Sequence, residues 1–397
     1  MINFFKEIDK KHIFYLISIS IMAKIAVLYF TIFFARSMID FFDLRNYILK
    51  SLLVINNGIP YISFNYEYPI LSLVPMTIST YLSILLGSLT YAFPIFQTLM
   101  CLFDIITTIC IYLIVLKLYQ NKSLALKSGI LYATALSPIY TSLTRFDSFP
   151  VMIMMVSIFL FIYKENISSY IVSSLAFFTK VFPIIVAPFF IIYEFKNNEN
   201  WLVEVRDYLL VGGIFSILFL VPFLCIGGLD TLKPYLFATG SGVNYVYANT
   251  FNHVISAWTG ININLIASIL SVILIISIII IFYTIYQLKK FNSLQLIKYI
   301  CITLCILITI SKFHSAQYFM WITPLLVILV IDDIKKIGLF ILFQILTYIE
   351  FPLLYGSCYT NVEYTNVSGS FVWWATLLFF TFEYIILFIL LYKIYKS

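Results

Sequence analysis

Charged residues at the ends of apolar segments could together activate a hydroxyl group and hold a phosphate. Asp40 and Asp43 follow the first long apolar segment, and a carboxylate at a membrane boundary could act as a general base. Fixed cations stabilise a phosphate leaving group as negative charge develops on it. The residues that could supply this stabilisation are Arg145, Lys180, Lys312 and His314. Together these residue types predict group transfer from a phosphate-linked donor.

Each of these charges also has a structural explanation, which the sequence leaves open. Asp40 and Asp43 could be solvated charges at a helix end, and Arg145 and Asp147 could form a local ion pair. Lys180 has apolar neighbours on both sides, so an unpaired ammonium group there would cost a few kcal/mol. It would need a partner, or it would extend to the membrane interface.

The composition predicts an all-α, polytopic membrane protein. Of the 397 residues, 62% are hydrophobic and 11% are charged, whereas a soluble domain carries roughly a quarter charged residues. Apolar runs repeatedly reach the ~20 residues that cross a bilayer. The net charge of +6 comes without a basic cluster, so no nucleic-acid partner is expected. The six cysteines form no CxxC pair, which favours buried thiols.

Lysine and arginine counting decides the topology. Lys6, Lys10 and Lys11 precede the apolar run Ile13–Phe34, which predicts a signal anchor with a cytoplasmic N-terminus. If Ile70–Leu89 stays at the outer surface, about sixteen Lys and Arg residues lie inside and about seven outside. If that run crosses, the bias reverses. The first arrangement is therefore expected, with both termini cytoplasmic.

This arrangement predicts about twelve crossings within one membrane domain, residues 1–397. After Ile13–Phe34 and Phe93–Leu116, the expected crossings are roughly 128–143, 148–163, 167–179, 182–195, 208–227, 263–286, 296–311, 319–332, 338–355 and 371–391. The loop 36–91, the loop 228–262 and the candidate chemical residues then all lie at the outer face. We therefore expect an outer-facing active site in an integral membrane protein.

Two charges fall inside apolar segments and need a different explanation. Lys24 lies midway along the first segment and Asp104 midway along the second. Counted from opposite faces of the membrane, they fall at similar depth. We predict that they form an ion pair, because pairing offsets the cost of burying each charge.

Four groups of residues follow one another in an order typical of a known superfamily. They are Asp40–Asp43 with Asn57–Tyr61 and Tyr66–Pro69, then Ser137–Pro138 with Thr144–Ser148, then Thr179–Pro183, and finally Ser315–Trp321. In this order they resemble the GT-C superfamily of polyprenol-phosphate-sugar-dependent glycosyltransferases. The likeness is in particular to the catalytic subunit of GPI mannosyltransferase I and to related prokaryotic mannosyltransferases. It covers the chain up to about residue 330.

The resemblance implies a multipass fold with an acidic motif and juxtamembrane helices in the first outer loop. It implies transfer of mannose, with inversion, from dolichyl or polyprenyl phosphate mannose to an acceptor hydroxyl of a glycolipid or lipid-linked glycan. Asp43 or Asp40 would be the base. The donor phosphate would be held by Arg145, Lys180, His314 and Lys312. Sugar or acceptor contacts would come from Glu67, Tyr66, Asp147 and Gln317.

The sequence departs from the family pattern at the acidic motif. The GPI enzymes carry two acidic residues separated by one position, whereas Asp40 and Asp43 are separated by two. The register from Gly58–Tyr61 favours Asp43 as the base, and Asp40 stays open. No metal-ligand set is indicated, so a divalent metal stays an open cofactor. The acceptor and a small partner subunit are also left open, because the C-terminal third carries no matching motif.

A polytopic lipid or solute transporter is the competing hypothesis. About twelve crossings would suit a transporter, but such proteins tend to contain two related halves with interrupted helices at the midplane. No related halves stand out here, and the polar residues collect at one face. We therefore expect a transferase, located in a prokaryotic cell membrane.

Overall fold

A computed structural model describes residues 9–34, 41–233, 235, 249–311, 314–355 and 369–396. All named secondary-structure elements in these ranges are helical. The α-helices are α1 (Lys10–Phe34), α2 (Phe42–Ile55), α3 (Leu73–Leu85), α4 (Ala92–Tyr119), α5 (Lys122–Ala133), α6 (Leu136–Thr144), α7 (Ser148–Ile162), α8 (Asn166–Phe177), α9 (Val186–Asn197), α10 (Trp201–Phe219), α11 (Val221–Gly227), α12 (Phe251–Thr259), α13 (Ile263–Gln287), α14 (Ser293–Ile310), α15 (Phe319–Val330), α16 (Ile334–Tyr348) and α17 (Phe371–Lys396).

Shorter helical segments connect several of these helices. A π-helical segment, Ile349–Leu354, directly follows α16. The 3₁₀ turns are Ile70–Ser72, Leu89–Tyr91, Phe182–Ile185, Gly228–Leu232 and Ala316–Tyr318. The prediction of an all-α architecture is confirmed for the described part of the chain.

The chain divides into two compact units. The first comprises Met1–Ala187 with Asn200–Tyr235, and the second comprises Pro188–Glu199 with Leu236–Ser397. The first unit contains the acidic motif, Arg145, Asp147 and Lys180. The second contains His314 and Gln317.

Within the described residues, seven helical stretches are long and apolar enough to cross a membrane, which supports an integral membrane protein. They are Lys10–Phe30, Leu89–Tyr119, Trp201–Leu232, Ile263–Gln287, Ser293–Ile310, Ile334–Leu354 and Phe371–Lys396. The predicted total of about twelve crossings is not confirmed. The runs expected at 167–179, 182–195 and 319–332 contain helices of 12 residues each. Such a helix is about 18 Å long, whereas the hydrocarbon core is about 30 Å thick.

The predicted crossing 128–143 is divided between α5 and α6. Ala135 adopts an extended conformation with φ −68° and ψ 127°. Pro138 lies in the first turn of α6, where its missing N–H is tolerated; inside a continuous helix its ring would clash with the preceding turn. This run therefore forms two short helices instead of one spanning helix.

The run Ile70–Leu89 forms a short helix, α3, as the lysine count predicts. With 13 residues it is about 20 Å long, too short to cross the bilayer unaided. It packs against α2 and α4 in the first unit. Its length agrees with the prediction that Ile70–Leu89 does not cross.

The predicted ion pair between Lys24 and Asp104 is confirmed. The Lys24 Nζ and Asp104 Oδ2 atoms are 2.6 Å apart, and both side chains are buried. Lys24 also donates to the Ser20 hydroxyl, and the Tyr132 hydroxyl donates to Asp104 Oδ1 at 2.8 Å. Because both charges also have neutral hydrogen-bond partners, this network joins α1, α4 and α5 inside the first unit.

Breaking this pair from one side should destabilise the protein strongly. We expect Lys24→Met and Asp104→Leu each to cost about 3–5 kcal/mol, because each leaves one buried charge uncompensated. The double variant should cost clearly less than the sum of the two single variants. Unfolding in denaturant, followed by tryptophan fluorescence in detergent micelles, measures these free energies. Additive costs would contradict the pairing.

Candidate active site

Two ion pairs bring together four of the residues singled out in the sequence. Arg145 Nε lies 3.0 Å from Asp43 Oδ2, and Lys180 Nζ lies 2.6 Å from Asp147 Oδ1. Both pairs join residues that are distant in sequence. Lys180 is buried with its partner and does not depend on the membrane interface for compensation. The start of α2, the α6–α7 junction and the segment after α8 therefore meet at one site.

The ends of helices position these four side chains. Asp43 lies in the first turn of α2, where the helix dipole favours a negative charge. Arg145 directly follows α6 in an extended conformation, with φ −133° and ψ 159°. Asp147 immediately precedes α7, and Lys180 lies between α8 and the 3₁₀ turn that follows it. Charges placed at helix ends can face a common site without interrupting the apolar helices.

Aromatic rings form one wall of the site. The Lys180 ammonium lies 4.8 Å from the centroid of the Phe146 ring and 5.7 Å from that of Tyr68. These two rings pack edge to face, with centroids 4.8 Å apart. A desolvated cation over an aromatic face gains roughly 2 kcal/mol. Phe146 thus provides a second stabilising partner for Lys180, and Phe146 itself lies between Arg145 and Asp147 in the sequence.

A hydrophobic core packs against these aromatic rings. Phe146 belongs to it, together with residues from α2, the segment between α2 and α3, α3 and α4: Leu44, Tyr47, Tyr66, Leu73, Met76, Phe96 and Met100. The backbone N–H of Leu71 also donates to the carbonyl of Phe178 at 2.8 Å. The 3₁₀ turn before α3 is therefore fixed to the segment that carries Lys180.

The two ion pairs differ in their access to solvent. Asp147 is fully buried, whereas the Asp43 side chain is 24% exposed. Burial lowers the pKa of Lys180, and the neighbouring Asp147 carboxylate acts in the opposite direction. Among the described residues of this site, two carboxylates therefore balance two cations. Asp43 is the carboxylate that a substrate hydroxyl could reach.

Tyr47 is a site residue that the sequence interpretation missed. It lies one helical turn after Asp43, and its ring packs against Phe146 at 5.6 Å. Its hydroxyl is buried and has no hydrogen-bond partner among the described residues. Burial raises its pKa well above the usual range, and the nearby Asp43 carboxylate adds to this effect. The signal was available in the sequence, because residues i and i+4 share one helix face.

Tyr66 and Glu67 occupy different environments although they are adjacent. Tyr66 is buried, its hydroxyl is hydrogen-bonded to the Ser72 hydroxyl, and its ring packs near Tyr61 and Tyr68. Glu67 is exposed. Of these two predicted contact residues, Glu67 is therefore the one that a ligand can reach.

The remaining candidates lie in the second unit or outside the described residues. His314 is buried, with its ring 4.7 Å from Phe319, and burial lowers its pKa to about 3. It is therefore neutral near pH 7 and could act on a phosphate as a hydrogen-bond donor, not as a cation. Gln317 is buried and accepts from the Ser315 hydroxyl at 2.7 Å. Asp40 and Lys312 lie outside the described residues.

The described side chains offer no cluster of metal ligands of the usual kind. Among the residues searched, no group of three or more His, Cys, Asp or Glu side chains could hold a metal ion. The four charged groups of the site have protein partners within ion-pair distance of one another. The arrangement is suited to proton transfer and to hydrogen bonding of an anion.

Comparison with known proteins does not assign this chain to a family. No protein-family model matches it, and no curated protein matches it.

The two carboxylates of the site should differ in their importance for stability. We expect Asp147→Asn to cost about 3 kcal/mol or more, because it leaves the buried Lys180 ammonium without a charged partner. Asp43→Asn should cost about 1–2 kcal/mol, because the amide oxygen can still accept from Arg145 and water reaches this position. Denaturant unfolding of both variants measures the difference. An equal or larger cost for Asp43→Asn would contradict this assignment of the buried pair.

Proposed function

We propose that the chain is a membrane glycosyltransferase that uses a polyprenyl-phosphate-linked sugar. In this proposal a mannosyl residue moves, with inversion, from dolichyl or polyprenyl phosphate mannose to an acceptor hydroxyl. The acceptor is a glycolipid or a lipid-linked glycan at the outer membrane face. A lipid-linked donor suits a membrane-embedded chain, because its polyprenyl tail can stay in the bilayer while its phosphate enters the site.

The Asp43–Arg145 ion pair is the observation that supports this proposal most. It places a partly exposed carboxylate 3.0 Å from a guanidinium group, although the two residues are 102 positions apart in the sequence. A base for the acceptor hydroxyl and a donor for a phosphate are the two groups that such a transfer needs. The motif order that resembles the GT-C superfamily is independent support.

The proposed reaction has one bond-forming and one bond-breaking event at the sugar. Asp43 accepts the proton of the acceptor hydroxyl, whose oxygen attacks the anomeric carbon from the face opposite the phosphate. The bond between that carbon and the phosphate oxygen breaks, and the polyprenyl phosphate leaves with the electron pair. Arg145 donates to the phosphate while it remains beside Asp43, which the planar guanidinium fork allows.

The other candidates take supporting roles in this proposal. Lys180 and Asp147 fix the α6–α7 junction that carries Arg145, and the Lys180 charge adds to the field felt by the phosphate. The Tyr47 hydroxyl and Glu67 are candidate contacts for the sugar or the acceptor. His314 and Lys312 remain predicted phosphate contacts and Gln317 a predicted sugar or acceptor contact, and the mechanism assigns none of them a position beside Asp43 and Arg145. A small membrane subunit and a divalent metal are not required by this mechanism.

A transporter or flippase is the second candidate function. One observation favours it: Glu350 and Glu383 are buried acidic residues of the second unit, on stretches apolar enough to cross the membrane. Buried intramembrane acids commonly mark ion or substrate pathways. Purified protein in liposomes with labelled donor separates the two functions, because a transferase forms a glycosylated product and a transporter only moves the donor across the bilayer.

Sugar transfer from labelled dolichyl phosphate mannose tests the proposal. We expect wild-type membranes to transfer the sugar to an acceptor extract, and we expect Asp43→Asn to reduce the rate by about 10²–10⁴-fold through loss of the base. Asp40→Asn should leave most of the activity. Collapse only in Asp40→Asn would keep the reaction and move the base to Asp40.

Asp230→Asn is a matched control for the loss of one carboxylate. Asp230 is predicted to lie at the same face, and its exposed side chain is paired only loosely with Lys233, at 3.0 Å. Its substitution should change neither stability nor transfer. If wild type transfers no sugar from any of several polyprenyl donors, the glycosyltransferase proposal fails and the transporter becomes the leading candidate.

A further inference from the structure

Two acidic side chains of the second unit lie buried where the proposed reaction does not use them. Glu383 is the thirteenth residue of the 26-residue apolar helix α17, and it is 2% exposed. Glu350 lies in the π-helical segment after α16 and is 1% exposed. The two carboxyl groups interact electrostatically. Like charges at this depth are costly unless protons or a cation offset them.

Asn249 connects these acids to a third chain segment. Its Nδ2 atom donates to Glu350 Oε1 at 2.6 Å. Its backbone carbonyl accepts from the Tyr384 hydroxyl at 2.8 Å, and Tyr384 adjoins Glu383 in α17. Asn249 is therefore held through both its side chain and its backbone, with its amide group at Glu350 and its backbone carbonyl at the neighbour of Glu383.

Two buried oxygen atoms of this cluster need a donor or a cation that the described residues do not supply. Neither Asn249 Oδ1 nor Glu383 Oε1 has a hydrogen-bond partner among the described residues. Asn249 is 3% exposed, so solvent does not satisfy its amide oxygen. The described residues also include no basic side chain in an ion pair with Glu383. A buried amide oxygen without a donor costs about 1–3 kcal/mol, so native proteins rarely keep one without a ligand.

The backbone next to Glu350 is interrupted. Phe351 has φ −137° and ψ 109°, which are not helical values, inside the stretch Ile334–Leu354. Interrupted membrane helices expose backbone carbonyls, which are also oxygen ligands for cations. The helical stretch that carries Glu350 is therefore interrupted directly beside this acid.

We infer that Glu383, Glu350 and Asn249 form a binding site for a hard metal cation within the second unit. Carboxylate and amide oxygens are the ligands that hard cations prefer. A bound cation would offset the acidic charge and satisfy the amide oxygen of Asn249 at the same time. The inference does not depend on the proposed sugar transfer.

Thermal unfolding of the purified full chain in detergent tests the site without an activity assay. The protein is transferred into choline chloride at constant ionic strength, and NaCl, KCl, MgCl₂ or CaCl₂ is titrated in separate series. We expect one of these cations to raise the melting temperature by roughly 5 °C at saturation, since a ligand that binds only the native state stabilises it. The series that responds identifies the cation.

Substitutions at the proposed ligands test whether the cation-dependent shift in melting temperature arises at this site. Glu383→Gln should abolish the shift, or raise the half-saturating cation concentration more than about tenfold, because it removes one ligand charge. Asn249→Leu should act in the same direction through loss of an oxygen ligand. Glu194→Gln is the matched control, because Glu194 is another buried glutamate of the second unit and is hydrogen-bonded to Asn198. It should keep the wild-type response.

Three outcomes would overturn the inference. One is a wild-type melting temperature that no cation changes but that shifts with pH, which would assign the cluster to protons. Another is a cation response that Glu383→Gln and Asn249→Leu both retain. If these variants do not fold, Glu350→Gln replaces them, and an unchanged response in that variant has the same meaning. Wild-type sugar transfer is measured separately, so its absence leaves this result standing.

Discussion

A buried lysine beside short helices requires a compensating charge, and the Lys180–Asp147 pair meets that requirement at 2.6 Å. The pair fixes the end of α8 to the start of α7. Phe146, the residue before Asp147, then lies against the Lys180 ammonium. Arg145, the residue before Phe146, pairs with Asp43. The position of the partly exposed Asp43 carboxylate therefore depends on the Lys180–Asp147 pair, which is itself buried.

Charge balance shapes the chemistry that this site can support. An excess of cations would hold a phosphate tightly but would also hold the product phosphate, whereas a balanced cluster binds an anion only through the donors that remain available. Asp43 and a donor phosphate would share the Arg145 guanidinium in the proposed reaction. In the same proposal Lys180 would keep the junction in place through Asp147, and its charge would add to the field felt by the phosphate.

The sequence predicted best where one strong physical rule decided the outcome. The cost of a lone charge in a membrane predicted the Lys24–Asp104 pair, and the lysine distribution agreed with the short helix α3. The lengths of the helices were predicted poorly from the sequence, because hydropathy alone does not show a break such as the one at Ala135. Tyr47 and Glu383 were missed because their importance depends on tertiary neighbours: an unmatched hydroxyl beside Asp43, and an acid beside Glu350.

A double-mutant cycle on the rate of sugar transfer tests the central claim, that Asp43 and Arg145 act as one catalytic unit. Transfer from labelled dolichyl phosphate mannose is measured for wild type, Asp43→Asn, Arg145→Gln and the double variant at equal folded protein. The account predicts strong coupling, so that the double variant is no more than about threefold slower than the slower single variant. Losses that multiply, or single variants with wild-type rates, would contradict it.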